Sequence, residues 1–197
     1  MKKFIVLASL LCMFTVSFAQ YALNLTYQFG LAGKDLYSGT MKNSMLGVNA
    51  KFAYLYDDYM RLSLGTGFYA MPYEKLMVDG VQTPVNDVTI NVIPVTLGAE
   101  FTFIDQRPEA KQKIKPYVGL DIGYAFVMQN ESAYAPASTK GNFIIAPAFG
   151  ATYGLTNEIM LNASIRNNFL IYEYRSLNEY YEIYSLLGIN IGAIYTF

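Results

Sequence analysis

Six charged residues sit in stretches that are otherwise largely apolar: Lys51, Arg61 and Arg166, with Glu100, Asp121 and Glu158. Three cations and three carboxylates can build ion pairs, a polar path through an apolar protein, or acid–base chemistry by paired carboxylates. The last use lacks its usual company. The chain has no histidine, which removes the commonest general base and the commonest metal ligand together. Carboxylate-only catalysis has no motif here, so neither an enzyme nor a cofactor is expected. The other readings are a permeation path or a salt-bridged plug. The plug is preferred, because buried charges that do not pair cost several kcal/mol.

The residues that could position this set follow a leader. MKKFIVLASLLCMFTVSFAQ has a basic start at Lys2 and Lys3, an apolar stretch Phe4–Val16, and small residues at Ser17 and Ala19. That pattern predicts a secretory signal peptide over residues 1–19, with the mature chain starting at Gln20. The one cysteine, Cys12, falls inside it and follows Leu11, where a lipoprotein would need a small residue. The mature chain then has no thiol for a disulfide, a metal or a nucleophile. Of the 14 Lys and Arg residues two leave with the leader, and the remaining 12 face 15 Asp and Glu, a net charge of −3. No basic run points to nucleic acid.

The chain is 53% hydrophobic, yet beyond residue 20 no run approaches the ~18 apolar residues of a spanning helix. The apolarity is spread by alternation. Leu23, Leu25, Tyr27, Phe29 and Leu31 alternate with Asn24, Thr26, Gln28, Gly30 and Ala32, which is strand spacing. Seven further faces follow, over residues 46–56, 60–70, 93–103, 118–128, 143–155, 159–171 and 187–197. Val88, Ile90 and Val92 precede the fourth in the opposite phase. Eight strands, each long enough for the ~9–11 residues of a tilted transmembrane strand, predict an all-β, eight-stranded antiparallel up-and-down barrel over residues 20–197. Asp57-Asp58 and Thr156-Asn157 read as two-residue turns. The 33–44, 72–87, 129–141 and 173–182 stretches read as long external loops.

Residues not used to set the phase test it. No charge lies on the apolar faces, where Lys or Arg near mid-membrane would cost roughly 2–4 kcal/mol. The strand glycines fall on the opposite face, as a narrow lumen requires. The six charges share that inward face. Strand counting puts Lys51, Asp121 and Arg166 near mid-height, with Arg61 and Glu100 lower. Pro94 and Pro147 interrupt strands, and a bulge is expected at each. A soluble barrel of the lipocalin kind would invert these faces and show water a nearly uncharged surface, which argues against it.

The chain closes on Asn190-x-Gly192-x-x-Tyr195-x-Phe197. This resembles the C-terminal assembly signal of bacterial outer-membrane barrels. The segments IPVTLGAEFTF and KPYVGLDIGYAF, and the strand pattern of the whole mature chain, resemble the OmpA/OmpX-like outer-membrane β-barrel domain family of Gram-negative bacteria. The resemblance implies residence in the outer-membrane lipid and handling by the barrel-assembly machinery. It does not extend to a wall-anchoring domain. Function follows less directly, because this fold serves many roles. A structural or interaction role is expected, with Tyr180 and Tyr181 of NEYYEIY as external contacts for a protein or surface glycan. A narrow channel, or a lateral transporter of small apolar molecules, is the alternative.

Overall fold

The computed structural model describes residues 21–31, 34–35, 39–41, 43, 46–78, 81–84, 88–107, 112–130, 138–174 and 180–197. The leader assigned to residues 1–19 lies outside them. Among the described residues eleven strands form: β1 (Tyr21–Gly30), β2 (Lys34–Asp35), β3 (Gly39–Met41), β4 (Leu46–Leu55), β5 (Met60–Val78), β6 (Val81–Pro84), β7 (Thr89–Thr102), β8 (Ile114–Gln129), β9 (Ser138–Gly154), β10 (Ile159–Tyr174) and β11 (Tyr180–Thr196). Eight of them, β1, β4, β5 and β7 to β11, pair antiparallel in chain order, and β1 pairs with β11 to close an eight-stranded barrel. Closure leaves the barrel proper with no sheet edge to expose to lipid. The short β2, β3 and β6 extend the outer part of β5.

The alternation sets the two faces. Leu46, Leu97 and Phe149 are 61–64% exposed on the outside, while their neighbours Gly47, Thr96 and Gly150 turn inward. Aromatic rings mark both rims of this apolar belt. Below, Tyr21 stacks on Phe52 at 5.5 Å, and Tyr195 meets Phe197 edge-on at 5.0 Å. Above, Tyr27 meets Phe29 at 4.8 Å and Tyr124 meets Phe126 at 5.5 Å. Ten residues of tilted strand, such as β1, lift the chain by about 25 Å, the height of an outer-membrane apolar band.

The two short turns share one mechanism. The Asp57 carboxylate accepts from the backbone N–H of Tyr59 and of Met60, both at 2.7 Å, and Tyr56 N–H donates to Met60 O at 3.0 Å. The Thr156 hydroxyl accepts from Glu158 N–H and Ile159 N–H, and Leu155 N–H donates to Ile159 O at 2.9 Å. Side-chain acceptors of this kind stabilise a tight reversal. The connections therefore run over four residues, 56–59 and 155–158, rather than two.

At the other end the strands outrun the sequence reading. Residues 72–78 and 81–84, expected as loop, are strand, and β10 and β11 stay paired up to Tyr174 and Tyr180. The hairpins thus rise well beyond the belt. The expected bulges are absent too. On both sides of Pro94 the β5–β7 register is unchanged: Thr66 pairs with Val95, and Tyr69 with Val92. On both sides of Pro147 the β9–β10 register is unchanged as well: Arg166 pairs with Ala148, and Phe169 with Ile145. Each proline lacks the N–H its ladder would use, so two pairs are lost and the strand continues in phase.

Candidate functional site: the closed lumen

The inward face brings five of the six sequence-selected charges together. Lys51 comes from β4, Arg61 from β5, Glu100 from β7, Asp121 from β8 and Arg166 from β10. Arg166 pairs with Asp121; Asp121 meets Lys51 at 3.0 Å; Lys51 meets Glu100 at 3.0 Å; Glu100 meets Arg61 at 3.4 Å. The result is a chain of charges across the lumen. All five are buried, Asp121 to 1% exposure and Arg61 to 4%.

Register explains the fit. Lys51 lies opposite Gly65, Asp121 opposite Gly98, Glu100 opposite Gly119 and Arg166 opposite Gly188. A Cβ at Gly98 would run into the Asp121 carboxylate and stand 2.7 Å from Ser63 Oγ. One at Gly65 would press on Lys51 Cγ at 3.1 Å. These glycines make room for long side chains to lie across the bore. Around the charges, Tyr69 donates to Asn49 Oδ1 at 2.6 Å, Asn49 donates to Gln28 and Asn190, and Tyr117 donates to Asn162 Oδ1 at 3.0 Å. The void left beside Asn24, Ser164 and Arg166 measures about 20 Å³, room for a water molecule rather than a file of them.

Glu158 does not join the cluster. The parity count carried it inward, but the Thr156 cap holds it in the exposed 155–158 turn, where its carbonyl accepts from Thr196 N–H at 2.8 Å.

Two further layers close the bore. Towards the outer end Tyr69, Met71, Val88, Val92, Ala125, Ile144, Leu170 and Leu186 form a buried apolar cluster. Val88 and Val92, expected to change phase, keep it and face inward; what changes is the polarity of the lumen. At the lower mouth Ala22, Ala53, Leu55, Met160 and Ile194 pack along one wall. Against the other wall Gln106 enters the bore. Its amide donates to Asp57 O at 2.8 Å and its backbone N–H to Asp58 O at 2.9 Å. The Lys115 ammonium donates to the Arg107 carbonyl. Arg107 pairs with Asp105 at 2.6 Å and Asp58 at 3.3 Å, and its guanidinium holds the Asp105 carboxyl below the usual range. Lys115 was visible in principle, since it shares the inward parity of Tyr117, Gly119 and Asp121. Nothing in the sequence marked Gln106.

The remaining candidates lie apart from this cluster's centre. Asn190 is buried and accepts from Asn49, and Gly192 also faces inward. Tyr195 and Phe197 face outward at the lower rim, where Phe197 N–H donates to Tyr21 O at 2.9 Å across the closing seam. Tyr180 and Tyr181 pair through their backbones with Tyr174 and Glu173 at the hairpin tip; their side chains lie outside the described residues.

No protein-family model and no curated relative matches the chain. Solved structures do. Neisserial surface protein A aligns with a TM-score of 0.63 at 13% identity, over 90% of this chain and 97% of that one. Outer membrane protein OprG of Pseudomonas aeruginosa aligns with 0.61 at 14%, over 91% and 96%. The outer membrane protein W of E. coli aligns with 0.52 at 18%, over 91% and 98%. At these identities the likeness is one of fold, and it agrees with the apolar belt and the closed sheet: this chain is a small eight-stranded β-barrel of the outer-membrane type.

Proposed function

We propose that this protein is a non-conducting outer-membrane barrel whose work is done by its external hairpins, as a structural or surface-interaction element. One observation carries the reading: among the described residues three successive layers occupy the lumen, with the Arg166–Asp121–Lys51–Glu100–Arg61 chain across the middle one. A bore so occupied offers no resident path for solutes. The hairpins that rise beyond the belt, β5–β6 and β10–β11, are then the parts that meet other molecules. The outer strand ends and the connections between them, residues 32–45, 72–88, 130–141 and 172–183, carry eight acidic residues against five basic ones. That balance suits a neutral or basic partner surface better than a sulfated glycan. The barrel of Ail from Yersinia pestis, solved with a heparin analogue, is the contrasting case. Asn190, Gly192, Tyr195 and Phe197 would serve earlier, as the strand read by the assembly machinery.

Single-channel recording in planar bilayers tests the reading. The unmutated protein is expected to show no steady conductance, and a large steady one would overturn it. A second reading, lateral passage of small apolar molecules, draws on the ladder gaps at Pro94 and Pro147, both beside the apolar cluster. Under it, a disulfide between Phe68→Cys and Ile93→Cys would stop uptake of such a molecule; under the first reading it changes nothing.

A further inference from the structure

The lower mouth is crossed by a piece of chain that belongs to no strand. β7 ends at Thr102, whose hydroxyl donates to Ile104 O at 2.7 Å and accepts from Ile104 N–H at 3.1 Å. The bends that follow bring Gln106 back into the bore, where it is 2% exposed. With Arg61, Glu100, Lys115 and Thr152 it lines a void of about 10 Å³. Those four residues come from β5, β7, β8 and β9, so one side chain sits against the lower end of the charge chain.

Two kinds of bond hold the segment. Inside, the Gln106 amide donates to Asp57 O at 2.8 Å, and the buried Lys115 ammonium donates to Arg107 O. Outside, Arg107 pairs with Asp58 at 3.3 Å and with Asp105 at 2.6 Å. The Arg107 and Asp58 side chains are 51% and 49% exposed, so salt screens their pair. None of these is a ladder bond. The wall beside the segment is joined without it, through Thr102 N–H to Tyr59 O at 2.8 Å. A segment tied down by a few local bonds, some of them exposed, opens at far lower cost than the barrel.

We propose that Asp105–Arg107 is a latched plug: it keeps water at the lower mouth away from the charge chain, and it swings out of a barrel that stays folded when its exposed latch to Asp58 lets go. Lys115 is the positioning residue that seats it from within. Unlatching turns the lower lumen into a blind chamber, because the apolar cluster still lies above. The device therefore does not depend on what the hairpins bind or on whether the bore conducts.

The test is the rate at which methyl methanethiosulfonate, a small neutral thiol reagent, modifies a buried cysteine in the refolded protein in zwitterionic detergent. Thr152→Cys, in a Cys12→Ser background, places the single thiol behind Gln106. Its modification should be slow, and Gln106→Gly should speed it about tenfold or more, the scale of losing a buried hydrogen bond and the side chain that made it. Ile144→Cys, in the apolar cluster, should react equally slowly with and without Gln106→Gly. Rising salt should also speed modification at Thr152→Cys, and that dependence should vanish in Arg107→Ala. A Thr152→Cys rate indifferent to Gln106→Gly would overturn the plug. So would a rise at Ile144→Cys as large as that at Thr152→Cys, which would mean a loosened barrel. Failure of Gln106→Gly to reach the heat-modifiable folded form would overturn it too, because the segment would then be part of the fold. A salt-independent rate in the Arg107 parent would overturn the latch.

Discussion

The middle and the upper part of the lumen are lined by the same inward parity of the same strands, yet they are closed by opposite chemistry. In the middle, five charges from five strands meet across the bore, and glycines on the facing strands make room for four of them. Above, Tyr69, Val92, Ile144, Leu170 and their neighbours fill the bore by packing. The charged layer is directional: each member is held by particular partners, and removing one leaves another stranded. The apolar layer is additive, with each side chain contributing roughly its own buried area. The two layers lie in series, so under the non-conducting reading each is a barrier to solutes.

The largest effect should come from breaking both. Asp121→Asn combined with Ile144→Ala is expected to turn a silent barrel into one with measurable single-channel conductance, while each single variant stays silent. A conducting single variant would show that one layer alone is the seal. Next in size is the stability cost of Asp121→Asn. It takes the partner from Arg166 and one of two from Lys51, leaving buried cations short of charge. The expected loss is about 3 kcal/mol in urea unfolding, the low end of the range for a broken buried pair, because the ~20 Å³ void admits a water beside Arg166. Ile144→Ala should cost less, about 2 kcal/mol, as a cavity in packed apolar surroundings near the outer end. It should be indifferent to salt. An Ile144→Ala loss equal to that of Asp121→Asn would erase the distinction between the layers.

The same contrast explains what could be read from the sequence. The eight faces and their phase were legible because the belt is apolar on one side and polar on the other, so alternation was strong. Lys51, Arg61, Glu100, Asp121 and Arg166 stood out because a charge within such a pattern has only one face to occupy. The apolar layer was hidden for the converse reason. Through Val88–Val92 the apolar residues Val88, Ile90 and Val92 lie on the inward face and the polar Thr89 and Asn91 on the outward one, so alternation is inverted, and it looked like a phase change at Val92/Ile93. Residues 72–78 looked like loop because both of their faces leave the belt, so burial no longer imposes a pattern and strand pairing alone maintains the hairpin. Glu158 was misplaced by counting parity into a turn whose course is set by one hydroxyl, that of Thr156.

The smallest effect belongs to a charge pair in close contact at the surface. Asp105 and Arg107 meet at 2.6 Å, closer than Glu100 and Arg61, but at an exposed turn. Water and ions screen such a pair, so Asp105→Asn should barely change the unfolding midpoint, in contrast to Asp121→Asn. Its signature is local and depends on pH. The Asp105 carboxyl is held below its ordinary value by Arg107, so the stabilisation it gives is complete above the unfolded value, ~4, and is lost as pH falls through the folded one. The Gln106 N–H, bonded to Asp58 O at the lower mouth, sits beside that pair and reports on it. Its NMR chemical shift should titrate below about pH 4 in the unmutated protein and stay flat in Asp105→Asn. A global midpoint shift as large as that of Asp121→Asn would mean that contact distance, rather than burial, decides what a charge pair is worth in this barrel.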